Sequence, residues 1–105
     1  MNVFIAHAQI LRKEPPKEPG RSGLMVLKVG KNKRTTDALI QSVNQIIVRI
    51  PGHLSDRAAK LPVDSYIEIF GHVGGIVRRS QVSGEQHLSA ELVANNIQPA
   101  TPMIE

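Results

Sequence analysis

Hydrophobic and polar residues alternate most clearly in the stretch LPVDSYIEIFGHVGGIVRR, residues 61–79. Within it, residues 63–70 put Val, Ser, Ile and Ile on one side of an extended backbone and Asp, Tyr, Glu and Phe on the other. This period of two is typical of a β-strand. Gly71, Gly74 and Gly75 interrupt the pattern without an obvious loop, and glycines inside a strand favour a bulge or a sharp bend. A long strand bent in this way is suited to closing a small barrel.

The rest of the chain predicts four more strands and one helix. Apolar runs predict strands at 3–11, 24–30 and 44–50, and position in the chain predicts a further strand at 87–97, after a hairpin loop at 80–86. The first run is apolar on both sides, which favours a strand buried on one face and covered by a second subunit on the other. Residues 12–23 hold three prolines, two glycines and six charges, which are typical of a loop. Residues 55–61 predict a short helix with Ser55 as its N-cap, ending before Pro62.

The predicted order is therefore β-β-β-α-β-β. It indicates a mainly all-β protein, a five-stranded Greek-key barrel of the OB-fold class with one short helix between strands three and four. With 105 residues, the chain predicts one domain over 1–98 and a short, loose tail over 99–105. No segment approaches the roughly 20 apolar residues of a membrane helix, so no membrane partner is expected.

The segment IIVRIPGHLSDRAAKLPVDSYIEIFGHV, residues 46–73, resembles bacterial single-stranded DNA-binding proteins and their relative, primosomal replication protein N. In that family a short helix is followed by a strand of the type G-S-x-V-Y-I-E-G. Here Asp64 replaces the first glycine, and two additional residues precede Gly71. VFIAHAQI resembles the family's opening strand, with His7 where a glycine is usual. The resemblance implies an OB barrel that binds single-stranded DNA and forms a homodimer or homotetramer.

Two departures from the family pattern refine that expectation. Cellular members present several Trp and Phe side chains for base stacking, whereas this chain has no Trp. They also end in a disordered tail with an acidic tip that recruits replication proteins, whereas this sequence ends in PATPMIE. We therefore expect a compact bacterial accessory protein of DNA replication, recombination or mobile-element transfer, from the primosome or a mobile element, with replication proteins as further partners.

The net charge of +4 and the sequence pI of about 9.9 favour a polyanionic partner. Most basic residues fall in three predicted loops, which flank the binding groove in an OB barrel, and two fall on strands. For each of them the alternative is a solvated charge without a function. The predicted phosphate-binding residues are Arg12, Lys13, Lys28, Lys31, Lys33, Arg34, Arg49, Arg78 and Arg79.

Tyr66 and Phe70 fall four apart on one side of the predicted fourth strand, so both are candidates for stacking on bases. Asp64 and Glu68 on the same side indicate partial exposure. The alternative is that these two aromatic side chains belong to the core or to an interface between subunits.

An enzyme is not expected. The four histidines lack metal-ligand spacing and there is no Cys, so no metal or cofactor is predicted. The G-x-x-G at 71–74 matches the phosphate-contacting loop of KH domains, but that loop needs flanking helices and here strand surrounds it. The absence of Cys and of a signal-peptide pattern suits the cytoplasm. Two alternatives to DNA binding stay open: RNA binding, and a primosome-like adaptor whose basic face meets an acidic protein.

Overall fold

The structure is a computed structural model and describes residues 2–30 and 44–102. Five strands, one 3-10 turn and one short helix make up this part of the chain. Their bounds are β1 Phe4–Glu14, β2 Gly23–Lys28, β3 Gln45–Ile50, the 3-10 turn Gly52–Leu54, α1 Ser55–Ala59, β4 Tyr66–Arg79 and β5 Gln86–Pro99.

The five strands close into a barrel in the order β1-β2-β3-β5-β4. All neighbours are antiparallel except β3 and β5, which run parallel where Val48 faces Leu92 and Arg49 faces Val93. β1 belongs to both sides of the barrel, because its first half pairs with β4 and its second half pairs with β2. The predicted fold class, a five-stranded barrel with one short helix between β3 and β4, is confirmed.

Alternation along the strands explains the core. In β2, the inward positions Gly23, Met25 and Leu27 are buried, and the residues between them are partly exposed. Every strand contributes such inward side chains, and each that is fully buried stabilises the fold by about 1.5–3 kcal/mol relative to remaining exposed. The largest fully buried side chains are Ile10, Met25, Leu27, Val48, Ile67, Ile69 and Ile97.

β1 is longer than predicted. It continues to Glu14, so Arg12 and Lys13 lie on a strand, and the expectation that they lie in a loop is wrong. The register shifts between Ile10 and Arg12, which marks a bulge at this point. Arg12 and Glu14 are exposed on one face of the strand, whereas Lys13 between them is partly buried, with its ammonium group against carbonyl oxygens of Ala58 and Leu61. The loop begins at Pro15, since proline has no N–H to donate to a strand partner.

The prediction that the fourth strand begins near Val63 is wrong, because β4 begins at Tyr66. Asp64 has a φ of 74°, in the left-handed region, and its N–H donates to the Ile10 carbonyl oxygen at 2.7 Å. Asp tolerates this conformation better than most residues, so a turn replaces the first predicted strand residues.

The helix between β3 and β4 is also shorter than predicted. It ends at Ala59, and its N-cap residue is Leu54, without a side-chain cap hydrogen bond. Ser55 is the first helical residue, so its predicted capping role is wrong. The Ser55 hydroxyl is buried and has no hydrogen-bond partner in the described part of the chain.

Of the three glycines in β4, Gly71 is the one that the local geometry requires. The β4–β5 register shifts between Phe70 and Gly71, which marks the predicted bulge. A Cβ added at Gly71 would lie 2.1 Å from the Val93 carbonyl oxygen and 2.4 Å from the Phe4 ring. At Gly74 and Gly75 an added Cβ would make only ordinary contacts. The bend therefore depends on one close backbone approach.

β5 extends to Pro99, two residues beyond its predicted end, and the chain after it is still attached to the barrel. The Ala100 N–H donates to the Tyr66 carbonyl oxygen at 3.0 Å, and His7 Nε2 lies 2.7 Å from the Thr101 carbonyl oxygen. In the described residues there is no helix long and apolar enough to cross a membrane.

Candidate nucleic-acid interface

β4 and β5 continue past the barrel as a two-stranded hairpin. The last β4 residue that pairs with β1 is Gly71, and the first β5 residue that pairs with β3 is Leu92. Beyond these residues β4 and β5 pair only with each other, from Gly74 opposite Glu91 to Arg79 opposite Gln86. We call residues 74–91 the hairpin arm.

One face of the hairpin arm and the outer face of β2 and β3 enclose a groove of about 430 Å³. Among the described residues, its walls combine apolar side chains with three charged ones. The barrel contributes Leu24, Ile47 and Arg49, and the arm contributes Ile76, Arg78 and Glu91. An elongated ligand with both apolar and anionic parts fits such a lining.

The apolar part of the groove was not predicted from the sequence. Ile47 is 60% exposed, although it is a large aliphatic side chain. It lies between the inward positions Ile46 and Val48 on β3, so strand alternation makes it point outward. An isoleucine at an outward strand position was the available signal, and it was missed because the neighbouring apolar residues make the run look uniform.

Arg49 lines the groove but is not a free cation. Its Nε and Nη2 atoms both lie 2.8 Å from the same carboxylate oxygen of Glu91, and its Nη1 donates to the Ser22 hydroxyl at 3.1 Å. The side chains of Arg49 and Glu91 are 38% and 23% exposed. The predicted phosphate contact of Arg49 therefore competes with an ion pair inside the protein.

Arg78 and Arg79 lie on opposite faces of the hairpin arm, since successive strand residues point to opposite sides. Arg78 lines the groove and Arg79 does not. Both side chains are exposed, and neither forms an ion pair with another described residue. Of the two predicted arginines, Arg78 is the one suited to a ligand in the groove.

The other basic residues that the structure describes lie outside the groove. Lys13 Nζ lies 2.7 Å from the Leu61 carbonyl oxygen and 3.4 Å from that of Ala58, so it stabilises the C-terminal end of α1. Arg12 forms an exposed ion pair with Glu14 at 3.2 Å. Lys28 is half-buried at the end of β2, opposite Gln45. Their phosphate contacts stay predictions.

Three of the predicted phosphate-binding residues lie outside the described part of the chain. They are Lys31, Lys33 and Arg34, in the connection between β2 and β3. Their role also stays a prediction.

Tyr66 and Phe70 share the outer face of β4, as predicted, and both are partly exposed. Tyr66 packs edge-on against His7, with ring centroids 6.5 Å apart, and Phe70 lies opposite Ile5 of β1. Neither lines the groove, which reaches β4 only at the hairpin arm. The structure thus separates the two aromatic candidates from the arginine candidates, and their stacking on bases stays a prediction.

Metal chemistry has no visible site in this region. Within residues 2–30 and 44–102, no three side chains of His, Asp or Glu come together in a way that could hold a metal ion.

No protein-family model and no curated protein sequence matches this chain. Solved structures do match it. A small single-stranded DNA-binding protein from Streptomyces coelicolor is 18% identical, with 93% of each chain covered and a TM-score of 0.56. A mitochondrial single-stranded DNA-binding protein from S. cerevisiae is 8% identical, with 92% of each chain covered and a TM-score of 0.58.

A third match is the single-stranded DNA-binding protein from Thermus aquaticus, 19% identical with a TM-score of 0.61. The match covers 96% of this chain and 50% of that one, so this chain spans about half of that protein. This chain has the OB fold. At such low identity the likeness extends to the fold alone, and none of the three OB-fold neighbours is described as a primosomal protein.

Proposed function

We propose that this protein binds single-stranded DNA in the groove between the hairpin arm and the barrel, with little sequence preference. The observation that carries the proposal is the combination, in one groove, of Arg78 with the exposed Ile47. An arginine binds the phosphates of a DNA strand whatever its base sequence, and an apolar surface packs against any of the four bases. The net charge of +4 supports a polyanionic ligand. The three OB-fold neighbours are each described as binding single-stranded DNA.

The proposed activity is binding without catalysis. The three OB-fold neighbours are each described as single-stranded DNA-binding proteins, which supports this part of the proposal. An accessory role in replication, recombination or transfer of a mobile element is consistent with this activity, because single strands are exposed in each of these processes.

A titration of fluorescent oligo-dT at several salt concentrations tests the proposal. If about four phosphates are neutralised per subunit, log K falls with log salt with a slope of about −3, from roughly 0.7 per phosphate on single strands. Binding that is insensitive to salt, or a duplex of equal length bound as tightly as oligo-dT, would overturn the proposal. Tighter binding of oligo-U would favour RNA, and binding of neither would favour an acidic protein partner.

We also propose that two copies associate through the first half of β1. Phe4 to Ala8 pair with β4 on one side, and no described strand pairs with the other side of this segment, since the pairing with β2 begins at Gln9. Val3 and Ile5 next to that edge are 56% and 63% exposed. An open strand edge beside apolar side chains favours pairing with another strand, here the same segment of a second copy. Light scattering tests this, and a monomer mass at micromolar concentration contradicts it.

A further inference from the structure

Among the described residues that line the groove, one is a carboxylate, Glu91, although negative charge opposes the binding of phosphates. Glu91 lies on β5 opposite Gly74 and reaches Arg49 on β3 across the parallel β3–β5 pairing. Both contacts from Arg49 go to Oε2, so Oε1 has no hydrogen-bond partner in the part of the chain that the structure describes. Where the base of the hairpin arm meets the barrel, the groove therefore presents a negative oxygen beside an arginine that is already paired.

This arrangement has two physical effects on an anionic ligand. It uses three nitrogens of Arg49 on Glu91 and Ser22, which leaves fewer donors for a phosphate. It also repels any phosphate that approaches Arg49, because the carboxylate is only partly solvated and lies within hydrogen-bond distance of the guanidinium. Next to this pair the groove is apolar, with Leu24, Ile47 and Ile76.

We propose that Glu91 is a specificity-determining residue that excludes phosphates from the barrel side of the groove and limits the affinity for the strand. Bases, which are uncharged, lie over the apolar side chains, and phosphates lie along the rim at Arg78. The inference rests on the proposed function and specifies that the bases of the DNA strand, and not its phosphates, occupy the barrel side of the groove.

Glu91→Gln tests the inference, because glutamine keeps the size and an acceptor for Arg49 but removes the charge. We expect oligo-dT binding to tighten roughly two- to fivefold, the range for one partly exposed charge interaction. We also expect the slope of log K against log salt to become steeper by about 0.7, because Arg49 becomes available to one more phosphate.

Glu68→Gln is the matched control. Glu68 is on the outer face of β4 opposite His7, outside the groove, and loses the same charge. It measures the effect of net charge alone, so the tightening in Glu91→Gln must exceed that in Glu68→Gln. Arg49→Ala is the second test of the inference. It should leave the salt slope unchanged in the otherwise unaltered protein but cancel the added slope in the Glu91→Gln background.

Three results would overturn the inference: weaker binding in Glu91→Gln, tightening no greater than in Glu68→Gln, or a flatter slope in Arg49→Ala alone. Each would mean that Arg49 already contacts phosphate, or that Glu91 serves only to hold β5 against β3 through its ion pair with Arg49. If Glu91→Gln does not fold, the double variant Arg49→Ala/Glu91→Ala removes both charges together. Its salt slope should equal that of the unaltered protein, and a flatter slope contradicts the inference.

The outcome is separable from the proposed function. If the unaltered protein binds oligo-dT with a salt-dependent affinity and Glu91→Gln behaves as Glu68→Gln does, only the inference about Glu91 is wrong. If the unaltered protein does not bind oligo-dT at all, both are wrong.

Discussion

The two halves of the β4–β5 ladder have the same antiparallel pairing and opposite environments. In the barrel half, residues 66–71 and 94–99, the side chains of Ile67, Ile69 and Ile97 are completely buried. In the hairpin arm, Val77 is 60% exposed and Leu88 is 80% exposed. The barrel half has β1 beside β4, and β3 meets β5 at the junction with the arm, whereas the arm has no further strand beside it among the described residues. Backbone pairing alone therefore does not bury a side chain, and closure of the barrel does.

Because of this difference, the barrel half contributes mainly to stability and the hairpin arm is suited to ligand binding. Side chains in the barrel half are held by packing on all sides, so their size and shape determine stability. Side chains in the hairpin arm make few contacts within the protein, so their identity affects stability little and can instead suit the binding of a ligand. The groove lies where the two regions meet, and it takes Ile47 from the rigid barrel and Arg78 from the arm.

The largest expected effect is on stability, and it separates the two regions directly. Ile69→Ala removes a fully buried side chain and should lower the free energy of unfolding by about 2–5 kcal/mol. Val77→Ala removes apolar atoms from the exposed arm and should change it by no more than about 0.5 kcal/mol. Urea denaturation of both variants measures this. Similar losses in the two variants would show that the arm is packed against something in solution.

The second effect concerns two neighbouring arginines on the arm. Arg78→Ala should weaken oligo-dT binding by about 1 kcal/mol, roughly fivefold, and flatten the salt slope by about 0.7, because one phosphate contact is lost. Arg79→Ala is the control, with the same charge removed from the opposite face of the same strand. Equal losses from the two substitutions would mean that the strand does not lie in the groove.

A smaller effect compares the apolar part of the groove with the aromatic surface on β4. Ile47→Ala removes three carbon atoms, and if the DNA covers the equivalent of roughly one of them, binding should weaken by about 0.8 kcal/mol with an unchanged salt slope. Tyr66→Ala should weaken it less, because Tyr66 lies outside the groove. A larger loss in Tyr66→Ala, also without a change in slope, would support base stacking on Tyr66 and move the path of the strand to the β1–β4 side of the barrel.

The smallest effect tests a basic residue of the barrel body. Lys13→Met keeps the apolar stem and removes the ammonium group that contacts the Leu61 carbonyl oxygen. We expect a loss of about 0.3–1 kcal/mol in unfolding free energy, typical of a cation at a helix C-terminus, and an unchanged salt slope for oligo-dT. Thermal unfolding and the same titration measure the two quantities. A flatter slope would show that Lys13 contacts phosphate after all.

The sequence by itself determined the barrel and most of its elements. Alternation at 63–70 marked β4, Pro62 limited the helix, and one of three glycines in the stretch, Gly71, marked the bulge, because each of these signals acts over a few residues. The predicted boundaries of the strands and of the helix were less accurate than the predicted order of these elements. Asp64 adopts a left-handed conformation and Arg12 continues a strand, and both depend on hydrogen bonds to distant segments.

The tertiary structure alone decided which basic residues line the groove. Arg49 and Glu91 are 42 positions apart and Lys13 and Leu61 are 48 apart, so no local pattern could reveal that each residue has a partner inside the protein. The strand period places Arg78 and Arg79 on opposite faces, but only the path of the hairpin arm over the barrel shows which face meets the groove. Pairing between strands that are distant in the sequence determines that path. Local sequence patterns, which extend over only a few residues, do not reveal such pairing.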